Sequence, residues 1–171
     1  VYIPNELREM VRKEAHQRLP ELDVNKIILS ATHTHTAPVL DEGKYLLPKN
    51  VMTVEAYRAF LVDKIATAIE KAWNNRKPGS VTWGLAHAVV AYNRRAVYAD
   101  GSAVMYGKTN VSTFRGLEGY EDHDINTLFC WDADGKLIAI GVNVSCPSQM
   151  VEGRSAVNAD FWHPVRKTLY K

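Results

Sequence analysis

Between Val54 and Asn75, Tyr57, Phe60, Leu61, Ile65, Ala68 and Ile69 recur at three- and four-residue spacing, with most charges elsewhere. One face of an α-helix satisfies that period and a strand does not. Lys77-Pro78-Gly79 stops the helix, because proline brings no N–H to the ladder and clashes with the preceding turn. This long helix divides the chain into a first part with helical patterning and a second part that reads mostly as strands.

Ahead of it, Pro4 to Leu19 places Leu7, Met10, Val11 and Ala15 at helical spacing, with Pro4 in the first turn and Pro20 as the stop. Lys26 to Ala31 is a short apolar run of the kind a buried strand uses, and residues 39 to 52 read as an excursion loop. After the long helix, Val81 to Tyr92 and Arg95 to Tyr98 are predicted strands. Asp100-Gly101 is a hairpin signal leading into Ser102 to Tyr106, and residues 107 to 122 read as a loop. A second hairpin joins Thr127–Asp132 to Lys136–Val144 through Ala133-Asp134-Gly135, and Asp160 to Lys171 begins a helix. The order implies an α/β domain: a layered fold with a mixed β-sheet flanked by helices.

Composition narrows the function. Hydrophobic residues make up 46% and charged residues 23%, an ordinary globular mixture. The net charge of +2 is spread without a basic stripe, which argues against nucleic acid as a partner. No apolar run approaches the ~20 residues of a membrane span, although contact with a membrane surface stays open. Cys130 and Cys146 are too few for a disulfide framework. The chain opens at Val1 without an initiator methionine and stops inside a helical pattern, as a processed or trimmed chain would.

His33-Thr34-His35 carries the most chemistry. In an extended backbone residues i and i+2 point to the same side, so both imidazoles can converge on one point at the end of the predicted strand. Neutral imidazole suits zinc, copper, iron or nickel. Two polar loop histidines packed against threonine hydroxyls are the equally open alternative. Gly101 to Thr109 is close to a phosphate loop, but five residues separate its glycines and no helix follows. Asn110-Val111-Ser112 and Asn143-Val144-Ser145 match the glycosylation pattern, the second inside a predicted strand.

Ala31-Thr32-His33-Thr34-His35-Thr36-Ala37-Pro38 resembles the Thr-His-Thr-His-Ser-Gly-Pro motif of the neutral/alkaline non-lysosomal ceramidase family. The resemblance continues through the loop, the long helix and Tyr92-Asn93-Arg94-Arg95, then through Gly119 to Asp122 and the Asp132-to-Gly135 hairpin. It implies that residues 1–171 are the N-terminal portion of a hydrolase domain, secreted or in the cell envelope. Such a domain cleaves an N-acyl amide, either a ceramide-like lipid or a small-molecule amide. It further implies zinc as cofactor, His33 as a metal ligand, His35 as an acid/base helper, and Arg94 as a contact to substrate oxygen.

Departures accompany the likeness. Where the family places a second zinc-binding histidine, this chain has Cys146-Pro147-Ser148-Gln149-Met150. A cysteine thiolate also ligates zinc, so Cys146 is the candidate replacement. If Asp132 faces Leu137 across the turn, the hairpin register brings Cys146 opposite His123, while His163 lies at the start of the last helix. The family's remaining ligands, a glutamate and a tyrosine, fall beyond residue 171, so the chain needs the remainder of the same polypeptide for activity. Three alternatives stand beside this reading: another His-x-His metallohydrolase, a binding or scaffold domain that keeps the fold without the chemistry, and a thiol hydrolase built on Cys146.

Overall fold

The computed structural model describes residues 2–170 and separates into two compact units, Val1–Arg76 with Pro147–Lys171, and Lys77–Cys146. Among the described residues all three α-helices lie in the first unit and all six strands in the second.

In the first unit, α1 (Asn5–Arg18) and α2 (Val54–Asn74) fall where their periodicity puts them. Pro4 occupies the N-cap of α1, where its missing N–H costs no helical bond. Thr53 caps α2, its Oγ1 accepting from the Ala56 amide at 3.1 Å. The core forms where Leu7 and Val11 of α1 meet Val62 of α2, with Ile3, Leu29, Leu40, Leu61, Ile65 and Ile69 packed around them. The inward face of α2 therefore runs through Val62 and Ala66, and Phe60 and Ala68 of the expected stripe lie outside it. Arg18 ties the two helices together at one end. Its guanidinium bonds Glu14 and Asp63 at 2.8 Å each, and Thr67 Oγ1 at 2.8 Å.

The expected strand Lys26–Ala31 does not form. Val24–Lys26 makes one turn of 3-10 helix, and the following residues run on outside any ladder. Ile27 and Leu29 still turn inward while Ile28 is 89% exposed, so the alternation of a strand survives without a partner strand. Arg12 Nη2 takes up the Ile27 carbonyl at 3.4 Å, and the Ser148 amide takes up that of Thr32 at 3.0 Å. The last helix, α3, spans Trp162–Leu169; the expected helical position at Lys171 lies outside the described residues.

In the second unit the expected single mixed sheet is instead two three-stranded sheets, antiparallel throughout. The first is ordered β1 (Gly79–His87), β5 (Asp124–Asp132), β6 (Leu137–Val144), and the second β3 (Ala103–Met105), β2 (Arg95–Tyr98), β4 (Phe114–Leu117). Every strand connection here is a hairpin or loop rather than a helical crossover, and parallel pairing needs the crossover. Both Asp-Gly turns are where the sequence puts them. Gly101 and Gly135 take φ of 80° and 78°, and Asp100 and Asp132 fold their side chains onto the backbone amides of Ser102 and Asp134 at 3.0 Å each. Strand β4 falls inside the expected 107–122 loop, because Phe-Arg-Gly-Leu is too short to show a period and carries a glycine.

At the turn Trp131, not the expected Asp132, faces Leu137; a one-residue shift between Cys130 and Trp131 then brings the β5–β6 ladder into the expected register, which pairs Ile125 with Val144. Gly79 is required at the edge of this sheet, since a Cβ there would sit 2.2 Å from the Trp131 carbonyl oxygen.

Leu7→Ala, which opens a cavity at a site with no exposed surface, is expected to cost about 2–5 kcal/mol in urea unfolding. A cost below about 1 kcal/mol would show that α1 and α2 do not share a tight core.

Candidate functional site

The Thr-His-Thr-His-Thr segment is held in the first unit by residues 148–160. Thr34 Oγ1 and Thr36 Oγ1 both donate to the Asn158 carbonyl, at 3.1 and 2.9 Å, and the Asn158 amide returns a bond to the Thr36 carbonyl at 3.1 Å. Threonine at positions 34 and 36 thus places two hydroxyls on one carbonyl and leaves His35 between them for other work. His33 adopts φ of 63°, a left-handed conformation that a Cβ-bearing residue adopts at a cost of about 1–2 kcal/mol. The chain is therefore not extended through the motif, and the i, i+2 argument does not apply as drawn. The rings of His33 and His35 nevertheless come together, 5.1 Å between centroids and inclined at 58°.

The second support is Asp160, 6% exposed and itself left-handed at φ 56°. Its two carboxylate oxygens accept from the amides of Val151 at 2.9 Å and Phe161 at 2.7 Å, while its own amide donates to Asn158 Oδ1 at 2.7 Å. Asp160 thereby joins the 148–152 loop to the start of α3. Ser148, fully buried beside Thr32, finds no hydrogen-bond partner for its hydroxyl among the described residues.

His35 is contacted from the 148–152 loop. Gln149 Nε2 lies 3.0 Å from His35 Nε2, and Glu152 Oε2 lies 3.7 Å from His35 Nδ1. Beyond His35 a cleft of about 390 Å³ opens within this unit, lined among others by Thr34, Pro38, Asp41, Lys44, Tyr45 and Glu152. Its far wall is a charged cluster. Asp41 accepts from the Tyr2 hydroxyl in a short hydrogen bond and from Lys44 Nζ at 3.2 Å, with Arg58 Nη2 at 3.5 Å. The Tyr2 hydrogen bond, then Lys44 and Arg58, hold the Asp41 carboxyl below its ordinary range, and the same bond pushes the Tyr2 phenol up.

Of the sequence-predicted residues, His33 and His35 are brought together in the first unit, whereas Arg94 and Cys146 belong to the second. Arg94 extends from the Asn-Arg turn onto Tyr106, Nη1 donating to its hydroxyl at 2.6 Å with the guanidinium 5.1 Å from the ring centre. The turn is fixed by Asn93, whose amide bonds Glu121 at 2.7 Å and whose Oδ1 accepts from the Arg95 amide at 3.2 Å. Arg95 in turn pairs with Glu118 at 2.7 Å.

Cys146 is half-buried just past the end of β6, its amide bonded to the Val144 carbonyl at 2.9 Å; the ladder stops before it would pair with His123. His123 itself lies 3.3 Å from Glu121, and His163 is exposed in the first turn of α3. Sequence reasoning missed Gln149, Glu152, Asn158 and Asp160. Only the last pair carried a signal, an Asn and an Asp just ahead of a helical pattern.

Zinc can be tested against this arrangement. With Zn–N bonds of about 2.0–2.1 Å, two imidazoles on one tetrahedral ion lie about 5 Å apart between ring centres, which the His33–His35 separation meets. Among the described residues no group of three or more His, Cys, Asp or Glu gathers around a common point. Because Gln149 and Glu152 face the two ring nitrogens of His35, His33 is the member of the pair that stands as the ligand candidate. Compared with protein-family models, curated proteins and solved structures, the chain matches none.

Two outcomes are expected here. Asp160→Ala should cost about 2–4 kcal/mol in urea unfolding, because it leaves two amides without an acceptor and puts alanine at positive φ. Asp160→Asn, which tolerates that backbone and keeps one carbonyl oxygen, should cost clearly less. Because Asp41 titrates lower when folded than unfolded, its stabilisation is present above about pH 4 and is lost as pH falls through the folded value. Thermal melts should show Asp41→Asn less stable than the parent at pH 7, with the gap closing below about pH 4. A gap independent of pH would refute the charge assignment.

Proposed function

We propose that this chain supplies the His-Thr-His part of a zinc-dependent amide hydrolase acting on an N-acyl amide, in a secreted or envelope-associated protein. The observation that carries the reading is the His33–His35 pair, 5.1 Å apart and anchored through Thr34 and Thr36 to one carbonyl. A backbone under local strain at His33, with the flanking threonines hydrogen-bonded, is an arrangement that holds an imidazole in a set place. The likeness to the ceramidase motif adds the reaction class.

His33 would hold the metal, and zinc, when bound, supplies a water acidic enough to provide hydroxide near neutral pH. His35 stands beside it with a ring nitrogen able to take a proton from the attacking water and return it to the leaving amine. Glu152 lies 3.7 Å from the other ring nitrogen. The cleft beyond His35 offers charged and aromatic contacts from Asp41, Lys44 and Tyr45 to a polar substrate group. The resemblance gives Arg94 a substrate-oxygen role and Cys146 a metal-ligand role, both assignments for substitution to test. No helix among the described residues is long and apolar enough to cross a membrane.

Zinc titration by calorimetry at pH 7.5 tests the reading. Binding should be weak, fall at least tenfold in His33→Ala, and be unchanged in Arg94→Ala. A tenfold fall in Cys146→Ala would make the thiolate a ligand. Zinc affinity that is the same in His33→Ala and the parent chain would overturn the metal assignment and favour a scaffold role.

A further inference from the structure

The 148–152 loop determines which nitrogen of His35 carries the proton. Gln149 Nε2 lies 3.0 Å from Glu152 Oε2 and 3.0 Å from His35 Nε2. An ionised carboxylate only accepts hydrogen bonds, so the NH2 side of the amide must face Glu152; the flipped amide would set oxygen against oxygen. One N–H of Gln149 therefore goes to Glu152, and the other is directed at His35 Nε2. A neutral imidazole can answer that donor only with a lone pair at Nε2, which puts its proton on Nδ1. Nδ1 lies 3.7 Å from the same Glu152 oxygen, too far for a hydrogen bond but on the side that favours a positive ring hydrogen.

We propose that Gln149, anchored by Glu152, is a positioning residue that holds His35 as the Nδ1–H tautomer and caps its Nε2 lone pair. The inference deepens the proposed function and rests on it for its meaning, since a base needs its lone pair on a known atom. Nε2 is then the atom of His35 that carries the lone pair. The amide of Gln149 must give way before water or substrate reaches it. Second-neighbour groups that fix a histidine tautomer through its ring nitrogens are a general device of metal and acid/base sites.

The test is long-range ¹H–¹⁵N correlation of histidine-labelled chain at pH 8 with a chelator present, where ordinary imidazoles are neutral. His35 is assigned by the signal lost in His35→Gln, and the other five histidines report on folding. In the parent chain His35 should show a protonated Nδ1 and a bare Nε2. Gln149→Glu, which replaces the donor with an acceptor, should invert that pattern to Nε2–H. Glu152→Gln should move part of the population the same way. Should Gln149→Glu disturb the other histidines, Gln149→Leu is read in its place, with a shift toward Nε2–H expected. An Nε2–H tautomer in the parent chain, or an unchanged Nδ1–H tautomer in the Gln149 variant, overturns the proposal. Because no metal is present in this experiment, its result stands apart from success or failure of zinc binding.

Discussion

The carbonyl of Asn158 takes hydroxyl protons from Thr34 and Thr36, and much of the first unit's chemistry depends on it. Residues separated by 124 and 122 positions are joined there, on a stretch outside any helix or strand. With no ladder to satisfy its backbone, the Thr-His-Thr-His-Thr segment is held by the two threonine hydroxyls and by isolated backbone bonds from Ser148 to Thr32 and from Asn158 to Thr36. Asn158 is itself held by Asp160, whose carboxylate spans the 148–152 loop and the start of α3. Through that chain of bonds the loop carrying Gln149 and Glu152 is placed against His35. The geometry of the histidines thus derives from a polar network rather than from a sheet edge.

Helix packing supplies the platform. Leu7, Val11 and Ala15 repeat every four residues along α1 and are nearly or fully excluded from solvent, while Arg18 links α1 to α2 through three side chains. Leu40 reaches the same core from the excursion loop, and Arg58 of α2 holds that loop through the Leu40 carbonyl at 2.6 Å. Arg58 also reaches Asp41, so the charged wall of the cleft is attached to the helix that organises the unit. The second unit rests on different physics. Its strands meet through local hairpins, and Arg94 is presented from a turn braced by Asn93, Glu118 and Glu121 rather than from a strand.

The helices and both Asp-Gly hairpins were legible because each is encoded over a short window: a 3.6-residue period, a proline that stops a helix, or a turn needing positive φ. The β5–β6 register matches the expectation only beyond Cys130: Trp131 rather than Asp132 faces Leu137, and a one-residue irregularity restores the pairing, a feature no short window encodes. Lys26–Ala31 has the composition of a strand, yet a strand needs a neighbour, and that condition is not local. Phe114–Leu117 shows the converse, a tetrapeptide without a readable period made into a strand by the edge of β2.

For the site, residue types alone singled out His33 and His35, and the ceramidase likeness supplied roles for them. Imidazole chemistry is intrinsic to the side chain, so a sequence can nominate it. Nothing in the sequence placed Gln149 and Glu152 on His35, or made Asn158 and Asp160 its support. Those contacts cross more than a hundred residues, and they depend on where a loop without periodicity comes to rest. The amino-acid sequence by itself determined the helices, the hairpins and the two histidines, since each follows from local backbone preference or side-chain chemistry. Only the tertiary structure decided the antiparallel sheets, the left-handed turn at His33 and the partners of its neighbour, because hydrogen bonds between distant segments exist only once the chain has folded.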